Sequence, residues 1–382
     1  MLSTDSSIIR SGSDAARRMA FYGQGLESLH IIVLTGRQFD TDHARIELSR
    51  NVFAYPTNSS WKFMFARDTR RIAARIAAAA QGIPDRSWLV TAQDPFFAAV
   101  GKRLAKIFKA PLEIQIHTDF LAPEYRRESL KSYFRYRSYL KAIVRADVIR
   151  AVSERIRKKI VSVFPDAERK MYVLPISVDV QGIDEAKPET DLHMRYPQFD
   201  FLFLMASRVT REKNIGMAID ALAAVAATYP KTGLVIIGDG PEKHALRKRA
   251  HAAGISDNVI FEEGVPFESL ISYLKTADAF LLASDYEGYG RTIVEAAAAK
   301  LPVIMTDVGV AGELIMNGIT GAVVPVGDEH AFTDAMRSAL ADYPRFEKYA
   351  HAAFGVLSTY ALSPEASVKR MHEAWRQAIE MR

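Results

Sequence analysis

Two glutamates, Glu287 and Glu295, stand with seven residues between them, and two glycines, Gly288 and Gly290, follow the first directly. A glycine turn leading into a helix is a phosphate site. Without side chains, backbone N–H groups come close to a ligand, and the helix start adds partial positive charge. Phosphate repels carboxylates, so glutamates beside such a turn suit hydroxyl groups instead. A ligand with hydroxyl-rich sugar and ribose ends and a diphosphate between them fits both features. The plainer alternative makes Glu295 a solvated helix residue and Glu287 a loop charge, and spacing alone leaves both open.

Cations for a diphosphate stand further up the chain. Arg208 and Lys213 flank a turn after the apolar run 201–206. Arginine can bind phosphate through a fork of donors and lysine as a point charge, though basic turns are also common on surfaces. His117 ends the apolar run 112–117, on the side where open parallel sheets bind ligands. A lone histidine there is more often a structural hydrogen-bonder. Gly238-Asp239-Gly240-Pro241 holds Gly-x-Gly, but Lys243 occupies the place of a third glycine. A nicotinamide fingerprint also belongs near a domain's first strand, so a dehydrogenase is set aside.

These residues need elements to hold them. Apolar runs of strand length at 6–9, 30–35, 51–55, 88–91, 112–117, 147–152 and 171–174 alternate with helical stretches at 15–22, 63–80, 96–108, 124–145 and 155–164. Ser153 and Ser13 or Asp14 read as helix caps. The second half repeats the alternation, with strands at 201–206, 234–237, 259–261, 279–283, 303–305 and 321–324. Its helices are 215–228, 270–275, 291–299, a short one opened by 307–313, 328–340 and 364–382. Alternation of this kind predicts parallel sheets with helical crossovers. Residues 180–199, polar and proline-containing, read as a linker.

The motifs also have a family likeness. The paired glutamates resemble the E-x7-E motif of retaining GT-B glycosyltransferases, above all the glycogen-synthase-like family 4. Ser284-x-x-Glu287-Gly288-Tyr289-Gly290 is similar to that family's S-x-x-E-G-F-G. Arg208 and Lys213 resemble its G-R-x-x-x-x-K, with Ser207 in place of the glycine. Pro175-Ile176-Ser177-Val178-Asp179 resembles its P-x-G-V-D hinge, with Ser177 for glycine, and Val310 stands where many relatives have a second glycine.

The resemblance implies an α/β GT-B fold: two Rossmann-like doubly wound domains facing across a cleft. Residues 1–178 would bind acceptor, 179–363 would bind the nucleotide sugar, and 364–382 would be a helix crossing back to the first domain. It implies a retaining, metal-independent hexosyl transfer from a UDP- or GDP-sugar to a glycan, lipid-linked or small-molecule acceptor, with no cofactor. Arg208, Lys213, Gly288, Tyr289 and Gly290 would hold the donor diphosphate, joined by Gly12 in the family's first glycine loop. Glu295 would hold the ribose. Glu287 would hold the donor sugar and shield its oxocarbenium-like centre, and His117 would meet the same sugar. Gly238 and Val265 would line the base. A nucleotide-sugar epimerase and a non-catalytic sugar- or membrane-binding scaffold are the alternatives.

Composition sets outer bounds. The 382 residues are 49% hydrophobic and 25% charged, carry a formal charge of +5 and include no cysteine, which excludes disulfides and thiolate chemistry. No apolar run approaches the roughly 18 residues of a membrane span, and the first residues lack a signal-peptide pattern. The expected location is cytoplasmic, or peripheral on the inner membrane face. Residues 124–145 interleave seven Arg and Lys with five aromatic residues. They read as a packed helix with Leu130, Tyr133, Leu140 and Ile143 inward and its cations in solvent, or as a helix lying on an anionic membrane. Nucleic acid phosphates are a third partner class. No zinc-finger spacing or RNA-recognition motif accompanies the stretch, so nucleic acid is not the expected partner.

Overall fold

The structure is a computed structural model that describes residues 1–10, 12–37, 45–80 and 88–381. Ser11 and Arg382, parts of the expected first turn and last helix, lie outside the described residues. The described residues form fourteen strands: β1 (Leu2–Ser3), β2 (Leu29–Val33), β3 (Ile46–Ser49), β4 (Val52–Pro56), β5 (Val90–Ala92), β6 (Leu112–Ile116), β7 (Val148–Ala151), β8 (Met171–Val173), β9 (Phe201–Ala206), β10 (Thr232–Ile237), β11 (Val259–Glu262), β12 (Ala279–Leu282), β13 (Val303–Thr306) and β14 (Ala322–Val324). The helices are α1 (Asp14–Tyr22), α2 (Phe65–Ala79), α3 (Ala98–Ile107), α4 (Pro123–Glu128), α5 (Leu130–Arg145), α6 (Glu154–Val163), α7 (Val180–Glu185), α8 (Leu192–Arg195), α9 (Ile215–Ala226), α10 (Lys243–Ala252), α11 (Phe267–Thr276), α12 (Arg291–Ala298), α13 (Glu329–Ala341), α14 (Tyr343–Tyr360) and α15 (Pro364–Glu380).

They form two compact units. Residues 1–121, 129–174 and 365–382 make the first, and 122–128 with 175–364 make the second. The first unit's sheet runs β3-β4-β2-β1-β5-β6-β7-β8 and the second's β11-β10-β9-β12-β13-β14. All named strand pairs are parallel except β3 with β4. That exception follows from chain length: Ser49 pairs with Val52, and so short a link can only join antiparallel strands.

The second unit is the more regular. Its strand β9 is Phe-Leu-Phe-Leu-Met-Ala with every residue buried, as a parallel strand covered on both faces requires. Ile219 and Leu222 of α9 join Phe332 and Met336 of α13 in its core. In the first unit, α15 returns from the chain's end to pack on the sheet. Trp375 Nε1 donates to both Glu113 carboxylate oxygens at 3.1 Å, and His372 Nε2 lies 2.9 Å from the Tyr22 carbonyl.

Several local expectations are corrected. Residues 6–9 are a 3₁₀ turn rather than a strand, because Asp5 Oδ1 accepts from the Ser7 N–H and starts a turn; the strand is Leu2–Ser3. The helix expected over 124–145 breaks at Ser129, whose extended backbone and side chain cap α5 through the Ser132 N–H. The inward face of α5 is also shifted. Ser132, Tyr139, Ala142 and Ile143 are buried, whereas Leu130 is 80% exposed and Phe134 67%. Residues 180–199 are not a bare linker. Asp179 and Asp191 cap α7 and α8, and the stretch is tied down by a bond from Glu189 N to Ser272 Oγ at 2.9 Å. Residues 307–313 turn without forming a helix, since Gly309 and Gly312 take left-handed φ values of 54° and 77°.

Candidate active site

The second sheet reverses direction at β9. The chain fills one side with β10 and β11, then returns to place β12 on β9's other side. Loops leaving β9 and β12 at their carboxyl ends therefore part from each other, and such a switch point is where open α/β sheets hold ligands. The loop after β9 carries Arg208 and Lys213. The loop after β12 carries Glu287, Gly288, Tyr289 and Gly290.

Side chains and backbone staple these two loops together. Lys213 Nζ lies 2.5 Å from Glu287 Oε1, and both side chains are largely buried. Ser284 Oγ donates to the same oxygen at 2.9 Å. Asn214 Nδ2 donates to Asp285 Oδ1 at 3.0 Å, and the Asp285 N–H donates to the Glu212 carbonyl at 2.8 Å. Asn214 itself adopts a left-handed conformation at the start of α9, with φ 44°. Lys213 and Glu287 thus meet at a fixed place where a cation and a carboxylate can engage adjoining parts of one ligand.

Arg208 extends from this assembly with its side chain 75% exposed, and its Nη2 sits 3.0 Å from Glu212 Oε1. Glu212 is buried and also accepts from Thr210 Oγ1 at 2.7 Å. It is a backstop that aims an otherwise mobile guanidinium. Gly290 takes φ 84° as the residue before α12, a left-handed geometry suited to glycine. The first residue of α12, Arg291, places its Nε 2.8 Å from Glu295 Oε1. Burial raises the Glu295 pKa, and Arg291 opposes that shift by charge and hydrogen bonding. Glu295 is therefore a buried helix carboxylate beside a cation rather than a solvated one.

The third loop, after β13, supports the glycine turn. A Cβ on Gly309 would stand 2.4 Å from the Tyr289 carbonyl oxygen, so only glycine lets the two segments pack. The Tyr289 side chain is buried and stacks on Tyr360, with ring centroids 6.3 Å apart; its backbone is the part that shares the glycine turn. A Cβ on Gly238 would come within 2.0 Å of the Ser207 carbonyl oxygen. This gives that glycine a packing reason of its own at the end of β10. Val265 is half-buried after the edge strand β11, two strands from β9. A short segment from earlier in the chain also belongs here: in α4, Tyr125 packs edge-on against Tyr286, whose hydroxyl donates to Glu128 at 3.1 Å.

Gly12 and His117 belong to the first unit. Gly12 is exposed with φ 74°, and Ser13 beside it caps α1. His117 follows β6, and its Nε2 lies 3.2 Å from Gln115 Oε1. The residue keeps exposed surface. Even so, crowding by protein around the ring, and then Arg150 and Arg18, push its pKa down and favour neutral imidazole. Exposure limits the size of that shift, not its direction.

The supporting residues Glu212, Asn214 and Asp285 were not singled out from sequence. Glu212 had a signal, four positions beyond Arg208, but only the fold shows that both leave one strand end. Among the described residues no three His, Asp or Glu side chains converge as a metal-ligand set.

Residues 195–354 match the family described as Glycosyl transferases group 1. The GDP-mannose-dependent alpha-(1-6)-phosphatidylinositol monomannoside mannosyltransferase of Mycolicibacterium smegmatis is 32% identical over 209 residues, 52% of this chain and 54% of that protein. The glycogen synthase of Mycobacterium tuberculosis is 29% identical over 280 residues, 70% of this chain and 64% of that protein. The chain thus spans between half and two thirds of the length of these two relatives. Among solved structures, Anabaena HepE in complex with UDP superposes with a TM-score of 0.74 at 18% identity, covering 98% of both chains. Sucrose-phosphate synthase from Thermosynechococcus elongatus gives 0.77 at 19% identity, over 96% of this chain and 93% of that one. The fold is GT-B. The stretch that matches the glycosyl transferases group 1 family lies within the second unit.

Proposed function

We propose that the protein is a retaining glycosyltransferase that moves a hexosyl group from a UDP- or GDP-sugar to a glycan, lipid-linked or small-molecule hydroxyl without a metal. The observation that carries this reading is the Lys213–Glu287 pair, 2.5 Å apart, at the β9/β12 switch point and beside the glycine start of α12. Lys213, Arg208 and the backbone of Gly288, Tyr289 and Gly290 bind the diphosphate and stabilise the charge it gains on departure. Glu287 accepts from donor-sugar hydroxyls and Glu295 from the ribose. Val265 and Gly238 border the base, Gly12 adds backbone to the diphosphate side, and His117 meets a sugar hydroxyl. The bond from the anomeric carbon to the distal phosphate oxygen breaks. The acceptor oxygen bonds to the same face of that carbon, and the departing diphosphate takes the acceptor's proton. The relatives' printed names support the reading: one is dependent on GDP-mannose, and one solved neighbour holds UDP.

The acceptor side has its own support. Exposed Leu130, Phe134 and Val144 share α5 with exposed Lys131, Arg137, Lys141 and Arg145. Apolar and cationic groups exposed on one helix suit an anionic membrane surface, and so a lipid-linked acceptor. No helix of the described residues is long and apolar enough to cross a membrane.

A screen of UDP- and GDP-sugars with candidate acceptors, with products read by NMR, tests the reaction. A glycoside keeping the donor's anomeric configuration, formed in the presence of a chelator, is expected. Inversion refutes retention, loss with chelator refutes metal independence, and a new free nucleotide sugar formed without acceptor favours epimerisation. Flotation with phosphatidylglycerol vesicles, and its loss in Phe134→Ser, is expected for the membrane contact. No flotation at low salt counts against it.

A further inference from the structure

The first unit contains a buried polar column that ends at His117. Residues two apart on a strand share a face, so Glu113 and Gln115 line up along β6, and His117 follows just past its end, in contact with Gln115. Glu113 is 0% exposed and Gln115 1%. The Glu113 carboxylate accepts from Thr91 Oγ1 at 2.5 Å, from Trp375 Nε1 of α15 at 3.1 Å, and from the Tyr172 hydroxyl of β8. Gln115 Nε2 donates to Thr91 Oγ1 at 3.0 Å and to Glu113 Oε2 at 3.2 Å. On its other side, Gln115 Oε1 accepts from Arg150 Nη1 at 3.3 Å.

These partners fix which way the Gln115 amide points. Turned over, it would set its oxygen against the Glu113 carboxylate and its NH₂ against a guanidinium, two mismatches in a buried site. Oε1 therefore faces His117 Nε2, and an amide oxygen can only accept. The hydrogen between them must belong to the imidazole. We propose that Gln115 is a positioning residue that holds His117 as the Nε2–H tautomer, so that Nδ1 is the acceptor for a substrate hydroxyl and the ring is not a proton donor at that atom. Arg150 on β7 and Arg18 on α1 are the cations acting on the ring, and both favour the neutral form that this role needs.

The substrate role rests on the proposed glycosyl transfer, but the tautomer does not. The test is nitrogen-15 NMR of histidine-labelled full-length protein from pH 6 to 8, for wild type and Gln115→Met, which keeps length but removes the acceptor. Wild type is expected to show only the neutral Nε2–H form at His117. In Gln115→Met, where Arg150 keeps its bond to the Leu174 carbonyl, the two tautomers are expected to mix. Turnover of that variant should fall tenfold or more, with KM for the nucleotide sugar within twofold. An Nδ1–H form in wild type overturns the proposal even if the variant does not fold, and so does an unchanged tautomer in a folded variant. Absence of transfer on every donor, with the Nε2–H form observed, refutes the functional reading alone.

Discussion

The two units place their chemical groups by opposite means. In the second, polar and charged side chains on two neighbouring loops satisfy each other beyond the carboxyl ends of the two central strands, as Lys213 with Glu287 and Asn214 with Asp285. In the first, His117 is held from below by a column of uncharged and charged groups packed inside the sheet, running from Trp375 through Glu113 and Gln115. The loop site suits a charged ligand that replaces internal partners with its own. The column suits a single ring that must present one atom in one protonation state.

Mutations separate the two designs. Glu287→Ala has the largest expected effect: turnover down by about 10²–10³-fold with near-wild-type circular dichroism, and near-normal kcat would remove Glu287 from the site. Arg208→Ala comes next. Its side chain is mostly in water, so its ion pair adds little stability. Calorimetry should find UDP or GDP binding weaker by about 10–100-fold, the worth of one charge-assisted contact, with Tm unchanged. Unaltered affinity would break its assignment. Trp375→Phe removes one donor from Glu113 in the other unit. It should cost about 1–3 kcal/mol of stability in urea unfolding while leaving nucleotide affinity intact; a matching loss of affinity would mean that the column and the loops are not separate devices.

Acid should reveal the smallest difference. Burial is the main cause lowering His30 from 6.5 to about 4, and His117 and His372 shift the same way. All three belong to the first unit. Between pH 6.5 and 4 the unfolded chain binds more protons at His30 than the folded one, so stability falls as pH falls. In the second unit, burial raises Asp278, Asp285 and Glu295. There the folded form takes up protons first, and lowering pH costs nothing at those groups. Trp61, Trp88 and Trp375 are the chain's three tryptophans, all in the first unit. The urea midpoint read by tryptophan fluorescence should therefore drop across this window. A flat profile would contradict the lowered histidine values.

What the sequence discloses follows the same division. The second unit's site is written in short motifs, because each loop is continuous and its strand is an unbroken apolar run such as 201–206. Its strands and the helices α9, α11, α12 and α13 could be read within a few residues, whereas α10 and α14 could not. The first unit's column could not, because Thr91, Glu113, Arg150, Tyr172 and Trp375 are joined only by strand register and by a helix arriving from the far end of the chain. Glu113 and Gln115 look out of place in an apolar strand until their partners are known. The same holds for α5: its helical character was legible, but Ser129 broke it and turned Leu130 outward, which no periodicity over 124–145 announces. Capping aspartates at 179 and 191 likewise made short helices from a stretch whose composition suggested only a linker.

In the proposed function, the loops after β9 and β12 grip a nucleoside diphosphate. Hydrogen–deuterium exchange of the full chain with and without saturating UDP, and separately GDP, tests it most directly. One of the two nucleotides is expected to slow exchange over 208–214 and 286–295, and Arg208→Ala to weaken this protection. Binding that protects other segments and leaves both loops unchanged, or no binding of either nucleotide at millimolar concentration, would contradict it.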